Sequence, residues 1–145
     1  MRLPADSGKE ENTMELKGRA ITGGSAEGTA FVLDITFSFI GDFDPANGNL
    51  AVKGHPLFGQ SMAGKILVCP TGKGGTIAPF IAYEAMKKGN APAAIVCQRA
   101  EPILCESAMA IDIPILDGFP TNPVEVIRTG QLVSIDGNRV EVKEA

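Results

Sequence analysis

The run Cys69-Pro70-Thr71-Gly72-Lys73-Gly74-Gly75-Thr76 joins an apolar stretch, Lys65–Cys69, to a helical pattern that begins near Ile77. Residues of these types in this order suit one kind of chemistry, the holding of an anion. Glycine lets the backbone approach a ligand closely, and the unpaired N–H groups at the start of a helix point toward negative charge. A glycine-rich strand-to-helix connection also serves simply as a tight turn, and these residues alone leave both readings open.

Three other groups offer chemistry and are excluded or demoted by their surroundings. Gly59-Gln60-Ser61-Met62-Ala63-Gly64-Lys65 approaches a nucleotide-binding P-loop. It fails because Ile66 stands where the metal-binding Ser or Thr is required, and because the run precedes a strand where a P-loop follows one. His55 is the only histidine, which rules out a multi-histidine metal site, and beside Pro56 it reads as a loop or interface residue. Cys69, Cys97 and Cys105 cannot all pair within one chain and form no Cys-x-x-Cys motif. Cys69 and Cys97 end the strand-like runs 66–69 and 94–97, so they read as small buried hydrophobes, and no metal is assigned to this chain.

These groups need elements to position them. A chain of 145 residues, 44% of them hydrophobic, supports one core and is short for two ordinary domains. Residues 1–13 carry charge without apolar periodicity and read as a flexible extension, with a single domain over 14–145. Its front part is mainly β, with strands expected at 15–21, 28–34, 36–40 and 49–52. From Lys65 the period changes: strand 65–69, helix 77–88 stopped by Gly89-Asn90, strand 93–98, helix 102–111 and strand 114–116. That order implies a small parallel sheet. Apolar Ile77, Phe80, Ile81 and Ala85 set the first helix's stripe. Two alternating runs, 131–135 and 139–143, around Asp136-Gly137-Asn138 read as a closing hairpin. The fold class is therefore α/β: a mainly β front, a parallel β/α half and a C-terminal hairpin.

Charge narrows the partners. The 13 basic and 17 acidic residues, net −4, are scattered without a basic patch, which argues against nucleic acid and anionic membrane. No apolar run approaches the roughly 20 residues of a membrane span, and residues 1–13 lack the apolar segment of a signal peptide. The expected location is cytoplasmic.

The turn together with the 130–142 hairpin resembles the phosphohistidine swivel domains of phosphoenolpyruvate-utilising enzymes, which carry Gly-Gly-x-x-Ser-His. Here Pro79 stands at the place of that histidine, so phosphoryl relay is excluded while a swivelling β/β/α architecture is kept. A second likeness covers more of the chain. Gly18-Arg19, 26–30, Ser38-Phe39, Asp44-Pro45, Gly48, 55–57, Gly59, Ser61, 64–70, 72–74, 88–96 and 100–103, in that order, resemble the small subunit of the aconitase-X enzymes over about residues 15–119.

That resemblance implies a swivelling chain that closes over a large subunit carrying an iron–sulfur cluster, in a hydro-lyase acting on 5-phosphomevalonate or on cis-3-hydroxyproline. It favours the archaeal phosphomevalonate type. It implies a small anionic substrate, no cofactor bound by this chain, backbone donors from Gly74 and Gly75, a cation from Lys73 and a lesser substrate contact from Ser38. One departure stands out. The family's turn reads Gly-x-Gly-Ser, with that serine as the proposed proton acceptor, and Gly75 occupies its place here, beside Thr76. Either Thr76 takes over the proton, or it is a plain helix N-cap. The missing serine also keeps open a function of another class, a non-catalytic binding or regulatory domain.

Overall fold

A computed structural model describes residues 13–145. Among the described residues ten strands and three helices are defined: β1 (Thr13–Lys17), β2 (Arg19–Thr22), β3 (Ser25–Val32), β4 (Phe43–Asp44), β5 (Asn49–Leu50), β6 (Ile66–Thr71), α1 (Ala78–Lys87), β7 (Ala94–Arg99), α2 (Pro102–Ala110), β8 (Ile115–Asp117), α3 (Pro123–Val126), β9 (Leu132–Asp136) and β10 (Arg139–Lys143). The expected extension lies outside the described residues except for Thr13, which opens β1 opposite Lys143.

Eight strands form one sheet in the order β1-β10-β9-β3-β6-β7-β8-β2, with β4 and β5 making a separate ribbon. The strands β3, β6, β7 and β8 are parallel, as the alternation of strand and helix requires. The sheet folds over itself at β3. Residues 25–29 pair with β9, whereas Ala30–Val32 pair with β6. On one side of the parallel strands Leu67, Cys69, Ile95, Cys97 and Ile115 share a buried core with Ala78, Ala82 and Ala85 of α1 and Leu104 and Ala108 of α2. On the other, Ile66, Val68, Val96 and Leu116 share one with Val133, Ile135, Val140 and Val142 of the hairpin. The result is three layers, β/β/α, each held to the next by apolar burial worth about 1.5–3 kcal/mol per large side chain.

Several expectations change. The run 15–21 is two strands, because the chain crosses between layers at Gly18. A Cβ there would lie 2.6 Å from the Asp117 carbonyl oxygen, so only glycine allows the crossing. The strand expected at 28–34 starts at Ser25. Residues 36–40 alternate like a strand yet only Phe37 bridges a neighbour, Gly72. In the α1 stripe Ile77 and Phe80 are exposed, and the buried face is Ala78, Ala82 and Ala85. Small residues at that spacing let the helix sit close on the sheet and turn its larger side chains outward. The helix stop is as expected: Gly89 takes φ 77° and the N–H groups of Gly89 and Asn90 donate to the carbonyls of Met86 and Ala85. The hairpin loop is Gly137-Asn138, with Gly137 at φ 64° and Asp136 already paired to Arg139.

Candidate functional site

The glycine turn leaves the C-terminal end of β6 and enters α1 through residues 72–77. Gly74 and Gly75 take φ of 89° and 99°, a region that favours glycine. The Gly75 carbonyl accepts from Ala78 N–H, which starts the helix. Among the described residues, the N–H groups of Gly74, Gly75, Thr76 and Ile77 have no acceptor, and the N-cap position, Ile77, has no side-chain cap. A row of open donors at a helix start is an arrangement that receives an anion.

The N-cap reading of Thr76 is thereby corrected. The helix begins one residue later than that role requires, and Thr76 is exposed with no cap bond. Gly72 is fixed by packing, since a Cβ there would meet the Glu101 carboxylate of the next connection.

A second segment, 37–43, lies against this turn. Phe37, Phe39 and Phe43 are buried in edge-to-face contact, with ring centroids 5.0, 5.1 and 6.4 Å apart. The residues between them, Ser38, Ile40 and Asp42, reach the turn. Ser38 Oγ donates to the Gly74 carbonyl at 2.8 Å and accepts from Ile40 N–H at 3.1 Å. Asp42 Oδ2 accepts Ser38 N–H at 3.1 Å and pairs with Lys73 Nζ at 2.8 Å. Backbone bonds from Phe37 N–H to the Thr71 carbonyl and from Lys73 N–H to the Phe37 carbonyl complete the join.

The structure thus brings Ser38, Lys73, Gly74, Gly75 and Thr76 into one place. Lys73 is half-exposed but already ion-paired, so it is not the free cation that the sequence suggested. Asp42 was missed by sequence reasoning. Its position between the aromatics Phe39 and Phe43 gives it no chemical signature in the sequence; the three buried rings bring it to the turn. Ile40 also carries weight: a Cβ on Gly75 would fall 2.5 Å from Ile40 Cγ2, so Ile40 fills the space that a side chain at position 75 needs. At the foot of the turn the Thr71 hydroxyl is buried without a hydrogen-bond partner among the described residues.

The remaining candidates lie elsewhere in role. His55 accepts Leu57 N–H on Nδ1, so Nε2 carries the proton and donates to Asp34 Oδ1 at 3.1 Å, an anchored loop residue. Cys69 and Cys97 are neighbours in register and buried, and burial pushes the Cys69 thiol up to about 12 and the Cys97 thiol higher still. Among the described residues no group of three or more His, Cys, Asp or Glu side chains is placed to hold a metal ion.

Fold and turn together define a swivel-type β/β/α domain with an open donor row at the C-terminal end of its parallel strands. Residues 15–143 match the aconitase X swivel domain, and the chain belongs to that family. It is 43% identical over 124 residues to the phosphomevalonate dehydratase small subunit of Methanocella arvoryzae, covering 86% of this chain and 94% of that one. The corresponding subunit of Thermococcus kodakarensis is 42% identical over 130 residues, 90% of this chain and 96% of its own. The crystal structure of Thermococcus kodakaraensis aconitase X in its holo form superposes with a TM-score of 0.83 at 41% identity, covering 90% of this chain and 99% of the matched chain. A UPF0107 protein solved by solution NMR gives 0.80 at 34% identity, with 90% and 100% covered.

Proposed function

We propose that this chain is the small subunit of a cytoplasmic dehydratase that removes water from 5-phosphomevalonate, assembled with a large subunit that carries an iron–sulfur cluster. The likeness to phosphomevalonate dehydratase small subunits over nearly their whole length carries the reading. No helix among the described residues is long and apolar enough to cross a membrane, which agrees with that location.

Dehydration needs a Lewis acid on the departing hydroxyl, a group that accepts the proton and fixed charge for the substrate anion. The cluster, when present on the partner, supplies the first. This chain supplies the rest. The N–H groups of Gly74 to Ile77 receive the anion, Lys73 adds a positive charge that Asp42 partly offsets, Ser38 holds the turn, and the exposed Thr76 hydroxyl is the proton acceptor. Beside the turn Ile77, Phe80 and Tyr83 present an apolar rim, with Phe80 74% exposed, which the large subunit covers and so keeps water out.

Coexpression with the large subunit tests the reading. Copurification and release of dehydrated product from 5-phosphomevalonate, with none from cis-3-hydroxyproline, is the expected result. Assembly without turnover on either substrate contradicts it.

The second reading, a binding or regulatory domain without catalysis, draws on Ile40. Serine cannot return to position 75 while Ile40 fills its space, and φ of 99° adds strain. Gly75→Ser alone is therefore expected to give no gain in rate. A gain in the Ile40→Ala/Gly75→Ser double variant, starting from an inactive wild type, favours this reading.

A further inference from the structure

We infer that Asp42 is a positioning residue of the glycine-turn site, setting how strongly and in what geometry the turn takes an anion. The inference rests on the reading of that turn as the anion subsite. Asp42 is 8% exposed, and its one carboxylate oxygen Oδ2 serves both Ser38 N–H and Lys73 Nζ.

The first link is geometric. Ser38, held by Asp42, pins the Gly74 carbonyl at 2.8 Å. In a trans peptide the carbonyl and the following N–H point in opposite directions, so a carbonyl tied to Ser38 aims the Gly75 N–H away from Ser38 and outward. All described peptide bonds are trans. Without Asp42 the Ser38 backbone loses its acceptor, and the orientation of the Gly74–Gly75 peptide loosens.

The second link is electrostatic. Lys73 immediately precedes the donor row in sequence, and the Asp42 carboxylate holds its ammonium at 2.8 Å. The anion then rests mainly on backbone donors, which bind it by direction. A site balanced this way releases an anionic product that a bare lysine would retain.

Asp42→Asn separates the two links, because its amide oxygen still accepts Ser38 N–H while the charge is gone. Asp42→Ala removes both. The full chain, with backbone amides of Gly74 to Ile77 followed by NMR, is titrated with inorganic phosphate and, separately, with acetate. Asp42→Asn is expected to bind the responding anion about threefold more tightly than wild type, because the Lys73 ammonium, no longer held by the carboxylate, can turn to the anion at the exposed turn. Less than half of that gain should remain in a Lys73→Met background. A response to phosphate assigns the subsite to a phosphoryl group, and one to acetate assigns it to a carboxylate.

In the assembled complex, Asp42→Asn should lower KM for 5-phosphomevalonate, and Asp42→Ala should lower kcat about tenfold or more through misalignment. Loss of stability alone moves neither constant per folded complex. Equal anion affinity in wild type and Asp42→Asn overturns the role of Asp42 and leaves the anion site standing, as does a gain undiminished by Lys73→Met. Absence of any response to either anion in wild type overturns both.

Discussion

Between β7 and α2 the connection is closed by the chain's own carboxylates. Asp117 Oδ2 accepts Ala100 N–H at 2.8 Å, and Glu101, the N-cap of α2, accepts Leu104 N–H at 3.0 Å and Ile103 N–H at 2.9 Å. Between β6 and α1, at the same C-terminal end of the parallel strands, no side chain caps the helix and the donors of residues 74–77 stay open. A helix start left uncapped gives up about 1 kcal/mol that a cap residue supplies. The contrast separates a connection spent on stability from one kept for a ligand. In both, a carboxylate orders the backbone; at the first turn Asp42 does so from behind, through Ser38 and Lys73, and leaves the donors free.

The largest expected effect is at the open turn. Gly74→Val, where a Cβ meets no neighbour, should cut turnover of the assembled complex more than about a hundredfold while the isolated chain keeps its fold, and Gly75→Val, where a Cβ meets Ile40, should lose turnover and some stability together. The side chain blocks approach to the donor row and resists positive φ. Near-normal turnover in either variant, with circular dichroism unchanged, removes the turn from the site.

Thr76→Ala comes next, with a loss of about a hundredfold, the low end for a group that accepts a proton, and Thr76→Ser should retain much of the rate. Because Thr76 caps nothing, its alanine variant should melt within a degree or two of wild type. Full activity in Thr76→Ala moves the proton acceptor elsewhere.

The closed connection should respond in stability instead. Asp117→Ala leaves Ala100 N–H without its acceptor and should cost about 2 kcal/mol by denaturant unfolding, and Glu101→Ala about 1 kcal/mol, with turnover per folded complex unchanged. Burial alone would raise the Asp117 carboxyl, but the Arg19 hydrogen bond, Ala100 N–H and the Arg19 charge hold it below its ordinary value. A carboxyl depressed in the folded state contributes its full stability above the ordinary range and loses it as pH falls through the folded value, below about 4. Asp117→Asn should therefore flatten the acid limb of a stability–pH curve. A parallel acid limb in the variant contradicts that assignment.

The smallest effect concerns the thiols. Replacing Cys69, Cys97 and Cys105 with alanine should lower the melting temperature and leave the iron content of the assembled complex unchanged. Loss of iron shows that this chain contributes ligands.

Much of this was legible in sequence where local chemistry decides. Gly89 after the α1 pattern, Pro102 at the start of α2 and the 136–138 turn each mark a boundary by their own backbone preference. What tertiary packing decides was not. Gly18 splits one alternating run because the chain changes layers there, and Phe80 faces out because Ala78, Ala82 and Ala85 pack closer. The short helix α3 was passed over although Asn122 before Pro123 is a start signal, and Asn122 Oδ1 does accept Val124 N–H. At the site the glycines and Lys73 were visible as types. Asp42 and Ile40 were not, since their roles depend on a segment brought from 30 or so residues away in sequence by three buried phenylalanines.

Amide hydrogen exchange on the assembled complex, with and without 5-phosphomevalonate, tests the contrast between the two connections most directly. Ala100, Ile103 and Leu104 should be protected in both states. Gly74, Gly75, Thr76 and Ile77 should exchange fast in the free complex and slow about tenfold or more when substrate is bound. Amides of 74–77 that are already protected without substrate, or that exchange equally fast at saturation, contradict that contrast.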